Sequence, residues 1–298
     1  MTADKLLHFF TDHRDCGLPL VLVTVIDTEG STYSKTGEQM LINEQGVFRG
    51  MLSGGCLEGD LAARARVVLE SGKPQIVTYD LASDDELWGL GVGCDGQMRV
   101  VLQPCLAHSG YAPFAQIAEV LTGHGAVELT IPLEDDALSE FRISVEPPPR
   151  ILVLGAGLDA EPLVRIASEM GWRCTVVDHR PAYIDNGDFR DAVVTQCIAA
   201  DDLAQTLDLS SYDMAVVMSH NLTSDRSYLA QLAETDIPYI GLLGPAGRRQ
   251  RLLQDIDDGA EKLGGRLYGP AGLELGGRGP APIALAIVAQ MQKLLAAP

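Results

Sequence analysis

The residues best placed to do chemistry are two cysteines that each follow glycines. Ser53-Gly54-Gly55-Cys56-Leu57-Glu58 sets a thiol behind a glycine pair, just where an apolar repeat begins. Cys94 lies in LWGLGVGCDGQM, where Gly89, Gly91, Gly93 and Gly96 are more glycines than one turn requires. A thiolate is a soft ligand, and glycine lets a ligand come close to the main chain. Two such loops suggest a cradle for a soft or sulfur-bearing ligand, with Ser53, Gly54, Gly55, Cys56 and Glu58 on one lip and Cys94 on the other. A helix start at Cys56 favours negative charge there, while Glu58 and Asp60 in the same first turn oppose it. The alternative for both thiols is the commonest role of free cysteine, a small buried hydrophobe. No base is identifiable beside Cys56, so it is not read as a catalytic nucleophile, and no catalytic residue is assigned.

A second constellation follows in the other half of the chain. Gly155-Ala156-Gly157-Leu158-Asp159-Ala160 reads G-x-G-x-x-A directly after an apolar strand. The first glycine permits the tight turn, the second lets a pyrophosphate approach, and the small third residue lets helix and strand pack closely. The helix amino terminus offers N–H groups to an anion. Asp178 ends the next strand, where the fingerprint expects a carboxylate for ribose hydroxyls. His220 ends a further strand, and Arg248 opens a helix with Arg249 and Arg251. Together these residues are candidate contacts for a nucleotide or NAD. Taken singly, His220 also reads as a hydrogen-bonded strand end and Arg248 as part of a solvated face.

The elements that must position these residues fall into two halves. In VEPPPRILVLGAG three prolines cannot continue a helix or a central strand, and an apolar strand restarts behind them. The linker is placed at about residue 147, between an N-terminal domain over 1–146 and a C-terminal domain over 150–298. In the first, LPLVLVTVID reads as a buried strand, EQMLINEQGVFRGMLS as two strands in a hairpin around Asn43–Gly46, and IVTYDL and QMRVVLQP as two more strands. Leu57, Leu61, Ala65, Val68 and Leu69 have helical spacing, and Gly72 and Pro74 close that helix. In the second, strands and helices alternate, which implies a parallel sheet covered on both faces. The fold class is therefore α/β: an N-terminal mixed α/β domain and a C-terminal Rossmann-like doubly wound parallel sheet.

Composition narrows the partners. A net charge of −19 argues against nucleic acid or an anionic membrane, which need a positive face. The amino terminus lacks a basic head and long apolar core, so no signal peptide is expected. No apolar run reaches membrane-spanning length. The six cysteines are scattered without a C-x-x-C pair, so free thiols in a cytoplasmic setting are expected.

Several of these segments resemble a known family. GSTYSKTGEQMLI, GMLSGGCLEGDL and GLGVGCDG, followed by ILVLGAG, SHNLTSDRSYLAQL, YIGLLGPAGRRQRLL and YGPAGLELGGRGPAPIALAI, are similar in content and order to the XdhC/CoxI family. The resemblance covers nearly the whole chain. It implies an accessory protein that binds molybdenum cofactor, supports its sulfuration with a cysteine desulfurase, and inserts it into an apo molybdenum hydroxylase such as xanthine dehydrogenase. It also makes a homodimer an expected form. The cargo is a pterin with an anionic phosphate and an oxygen-sensitive dithiolene, and Cys56 would suit its molybdenum centre as a soft ligand. The chain departs from the family pattern at Lys35-Thr36, at Leu158-Asp159 and at Asp95. Two other functions stay open on the residues alone. One is an NAD-dependent oxidoreductase resting on Gly155, Gly157 and Asp178, although no Tyr-x-x-x-Lys pair accompanies them. The other is a nucleotide-responsive adaptor.

Overall fold

The structure is a computed structural model and describes residues 3–81, 96–123, 125–132, 140–256 and 259–296. The chain divides into two compact units, 1–147 and 148–298.

The first unit opens with helix α1 (Ala3–Asp15) and strands β1 (Leu20–Gly30), β2 (Gln39–Asn43) and β3 (Phe48–Arg49). Helix α2 (Glu58–Ser71), strands β4 (Gln75–Asp80) and β5 (Gly96–Cys105), helix α3 (Phe114–Thr122) and strands β6 (Val127–Pro132) and β7 (Glu140–Val145) follow. Five strands form an antiparallel sheet in the order β3-β2-β1-β5-β4, and β6 pairs with β7 alone. The apolar run in β1 is explained by burial on both faces. Leu20, Leu22 and Ile26 meet Phe10 of α1 and Phe114 of α3, while Val21, Val23 and Val25 meet Leu61, Ala65 and Val68 of α2. At the turn from β2 to β3, Asn43 Oδ1 accepts the N–H groups of Gln45 and Val47 at 3.1 and 2.9 Å. Helix α2 stops at Gly72, whose left-handed backbone (φ 65°) lets its N–H reach the Val68 carbonyl.

The second unit alternates strand and helix. It comprises β8 (Arg150–Leu154), α4 (Ala160–Glu169), β9 (Arg173–Asp178), α5 (Pro181–Asn186), β10 (Val194–Cys197), α6 (Leu203–Thr206) and β11 (Met214–Val217). Then come α7 (Leu222–Ala233), β12 (Tyr239–Leu242), α8 (Ala246–Gln254), α9 (Gly259–Leu263), β13 (Leu267–Tyr268) and α10 (Pro280–Leu295). All six strands are parallel, in the order β10-β9-β8-β11-β12-β13. The strand order reverses between β8 and β11, the switch point at which such sheets open a crevice beyond their carboxyl ends. Successive residues of β8 point to opposite faces. Leu152 and Leu154 join Tyr228, Leu229 and Leu232 of α7, whereas Ile151 and Val153 join Leu163 of α4 and Ile287 of α10. Among the described residues no helix is long and apolar enough to cross a membrane.

Candidate functional site

Residues 50–57 join β3 to α2 and carry the first glycine–cysteine loop. Gly54 and Gly55 sit at φ of 72° and 113°, where an L side chain is strained. A Cβ on Gly55 would meet nothing within 4 Å, so that face of the loop is open. One on Gly54 would lie 3.6 Å from the Tyr33 ring, itself 56% exposed. Cys56 is partly exposed. Cys105 and Cys174 are buried, and burial pushes their thiols up to about 11 and about 12.

The loop is held from inside by Glu58, only 2% exposed. Its Oε1 accepts the N–H groups of Leu52 and Ser53 at 3.1 and 3.0 Å, and its Oε2 accepts the Ser53 hydroxyl at 2.6 Å. Ser53 Oγ in turn accepts the N–H of Leu57 at 2.7 Å. Burial alone would push the Glu58 carboxyl up, but the hydrogen bonds from Ser53, from its own N–H and from Leu52 outweigh it and hold the pKa below the ordinary value. Ser53 and Glu58 were expected among the ligand contacts. The structure turns both inward, because the buried N–H groups of a tight loop need an internal acceptor. Their part is to shape the stretch that presents Gly54, Gly55 and Cys56.

Helix α2 begins at Glu58, so Cys56 lies two residues ahead of it, and Leu57 at the N-cap makes no side-chain cap bond. The charge of Asp60 is answered locally by Arg64 Nε at 2.5 Å and the Tyr79 hydroxyl at 2.6 Å. Cys94 lies outside the described residues. The strands on either side of its segment are tied by the Leu81 N–H donating to the Gly96 carbonyl at 2.8 Å.

In the second unit, Gly155 has φ of 128°, and a Cβ there would lie 2.5 Å from the Met218 carbonyl carbon. The missing side chain is what lets the ends of β8 and β11 approach each other. At Gly157 the open face is taken by the chain itself, since a Cβ would lie 2.8 Å from Asp159 Oδ1. Asp159 Oδ2 pairs with His220 Nε2 at 2.7 Å.

Asp178 is fully buried at the end of β9. Its Oδ2 accepts the Ala156 N–H and Arg180 Nη2, each at 2.8 Å, and its Oδ1 accepts the Arg180 N–H and Nε, each at 2.9 Å. Burial pushes this carboxyl up, and the Arg180 guanidinium with the two backbone N–H groups outweighs it and holds the pKa low. A carboxylate offers about four acceptor positions, and here the chain fills them. The carboxylate expected to receive ribose hydroxyls is thus engaged by the chain itself in this structure. The competitor is Arg180, which also stacks on Tyr183 at 3.6 Å and reaches the Ser219 carbonyl at 3.2 Å.

Arg248, expected as a phosphate contact, gives Nη2 to Asp225 Oδ2 at 2.7 Å. Asp225 is 1% exposed and also accepts the Ser219 hydroxyl at 2.5 Å. Sequence reasoning noted Asp159 only as a departure from the family pattern and passed over Arg180 and Asp225. Asp178-x-Arg180 was the one local signal, whereas Asp159–His220 and Asp225–Arg248 join residues far apart in the chain.

Comparison with known proteins extends these observations. Residues 13–80 match the XdhC and CoxI family profile, and residues 151–291 match the XdhC Rossmann domain profile. The chain is 31% identical to a probable xanthine dehydrogenase subunit of Bacillus subtilis (strain 168), over 91% of this chain and 92% of that protein. It is 22% identical to the molybdenum cofactor insertion chaperone PaoD of Escherichia coli (strain K12), over 85% of this chain and 76% of that protein. A crystal structure described as a xanthine dehydrogenase from Bacillus halodurans matches it with a TM-score of 0.85 and 31% identity, covering 99% of this chain and 96% of that one.

Proposed function

The chain belongs to the XdhC and CoxI family, and on that premise we propose that it is a chaperone that binds molybdenum cofactor and inserts it into an apo hydroxylase of the xanthine dehydrogenase type. The observation that carries this reading is the loop over residues 52–58. A partly exposed thiol follows two glycines of positive φ, and the buried Ser53–Glu58 contact braces the loop from inside. Soft sulfur suits a molybdenum centre, and backbone without side chains allows a flat pterin to approach. Cys56 is the ligand in this reading, and Gly54 and Gly55 are the surface beside it. The names of two relatives, one a probable part of xanthine dehydrogenase and the other a molybdenum cofactor insertion chaperone, point the same way. Supply of the terminal sulfur by a cysteine desulfurase, with the chain holding the cofactor meanwhile, completes the proposal.

The contact of Arg180 with Asp178 speaks against the oxidoreductase alternative. The test of the chaperone reading is anaerobic incubation of the full chain with released molybdenum cofactor, then gel filtration and fluorescence of the oxidised pterin. Co-elution in stoichiometric amount is the expected result. Cofactor eluting only with the small molecules would overturn the proposal.

A further inference from the structure

Two positions define a dinucleotide site in this fold. The pyrophosphate lies at the amino terminus of the first helix, against the second glycine, and a carboxylate at the end of the second strand takes the ribose hydroxyls. In this chain both positions hold internal side-chain contacts. The Asp159 carboxylate lies over the open face of Gly157, which a Cβ would enter to within 2.8 Å of Oδ1, and His220 fixes it at 2.7 Å. Asp178 is saturated by Ala156 and Arg180.

We infer that the Rossmann crevice is closed to dinucleotides by the chain's own side chains, with the Asp159–His220 pair in the place of the pyrophosphate and Arg180 in the place of the ribose. A phosphate entering there meets a carboxylate where the fold normally offers only N–H donors, and like charges in contact oppose binding strongly. The Asp159 and His220 side chains are 14% and 61% exposed, so the pair sits at the mouth of the crevice rather than in the core. The crevice thus keeps the architecture of a nucleotide site without its function. This inference concerns the second unit only and is independent of the cofactor reading for the loop at Cys56.

The test titrates NADH, NADPH and inorganic pyrophosphate separately into the full chain, followed by calorimetry. Wild type is expected to show no saturable binding of any of them into the millimolar range. Asp159→Asn, which removes the charge and keeps the shape, is expected to bind pyrophosphate at least about tenfold above the wild-type limit. Should Asp159→Asn fail to fold by circular dichroism, Asp159→Ser, whose hydroxyl can cap α4, carries the same expectation. Micromolar binding of NADH or NADPH by wild type overturns the inference. A folded Asp159 variant that binds pyrophosphate no better than wild type overturns it as well.

Discussion

Ser53 donates both its hydroxyl and its backbone N–H to the carboxylate of Glu58, at 2.6 and 3.0 Å. That double contact turns a glycine-rich stretch, which would otherwise sample many conformations, into a fixed platform for Cys56. Glu58→Ala would leave the N–H groups of Leu52 and Ser53 buried without an acceptor. It should cost about 2–4 kcal/mol in denaturant unfolding, within the range for breaking buried polar networks. Glu58→Gln keeps one acceptor oxygen and should cost clearly less.

The same contact sets a pH dependence. Glu58 and Asp178 both have folded pKa values below their unfolded ones. Their stabilisation is therefore present in full above the ordinary carboxylate range, at about pH 4, and is lost as pH falls through the lower folded values. Thermal unfolding of wild type should be nearly level from about pH 7 to about pH 5 as far as these groups go, and decline below about pH 4. Glu58→Gln should flatten part of that decline. Stability that rises on acidification through this window would contradict the assignment.

Much of the fold was legible because its elements are simple. Strands β8, β9, β11 and β12 are short apolar runs, α4 and α10 carry apolar stripes, and G-x-G-x-x-A marks the β8–α4 turn within a few residues. Helix α2 was legible for the same reason, with Leu61, Ala65 and Val68 on one face. Elements without such a pattern were not. Strand β10, Val194–Cys197, is largely exposed, and β13 is only two residues long. Strands β6 and β7 are mostly exposed, with few buried residues to set a period. At the sites, the residue types and glycines were readable, but the state of each side chain was not. Asp178 has the right position for a ribose contact, and only the path of the Arg180 side chain shows that it is already engaged.

Close backbone approach at the switch point separates the two glycines of the fingerprint. Gly155→Ala would place a Cβ 2.5 Å from the Met218 carbonyl at φ of 128°, so the strand ends must part. A loss above about 3 kcal/mol is expected. Gly157→Ala meets side chains rather than backbone, Asp159 Oδ1 at 2.8 Å and His220 Cδ2 at 3.8 Å, and should cost less, about 1 kcal/mol. Comparing the two variants in urea unfolding checks the ranking.

Arg248 and Asp225 form a partly buried ion pair at 2.7 Å. Arg248→Ala leaves the buried carboxylate of Asp225 with the Ser219 hydroxyl as its remaining side-chain donor, and a loss of about 2–3 kcal/mol is expected for this partly buried pair. Adding Asp225→Asn to that variant should restore part of the loss, since no charge is then left buried. A double variant no more stable than Arg248→Ala would show that the pair is not coupled in this way.

Binding of molybdenum cofactor by Cys56→Ser, set beside wild type and Cys16→Ser, tests the central claim most directly. Cys16 is exposed and lies outside the loop, so its loss controls for nonspecific thiol effects. The account predicts unchanged folding in all three proteins, unchanged affinity for Cys16→Ser, and affinity at least about tenfold weaker for Cys56→Ser, a difference of about 1.4 kcal/mol. Equal affinity of wild type and Cys56→Ser for the cofactor would contradict it.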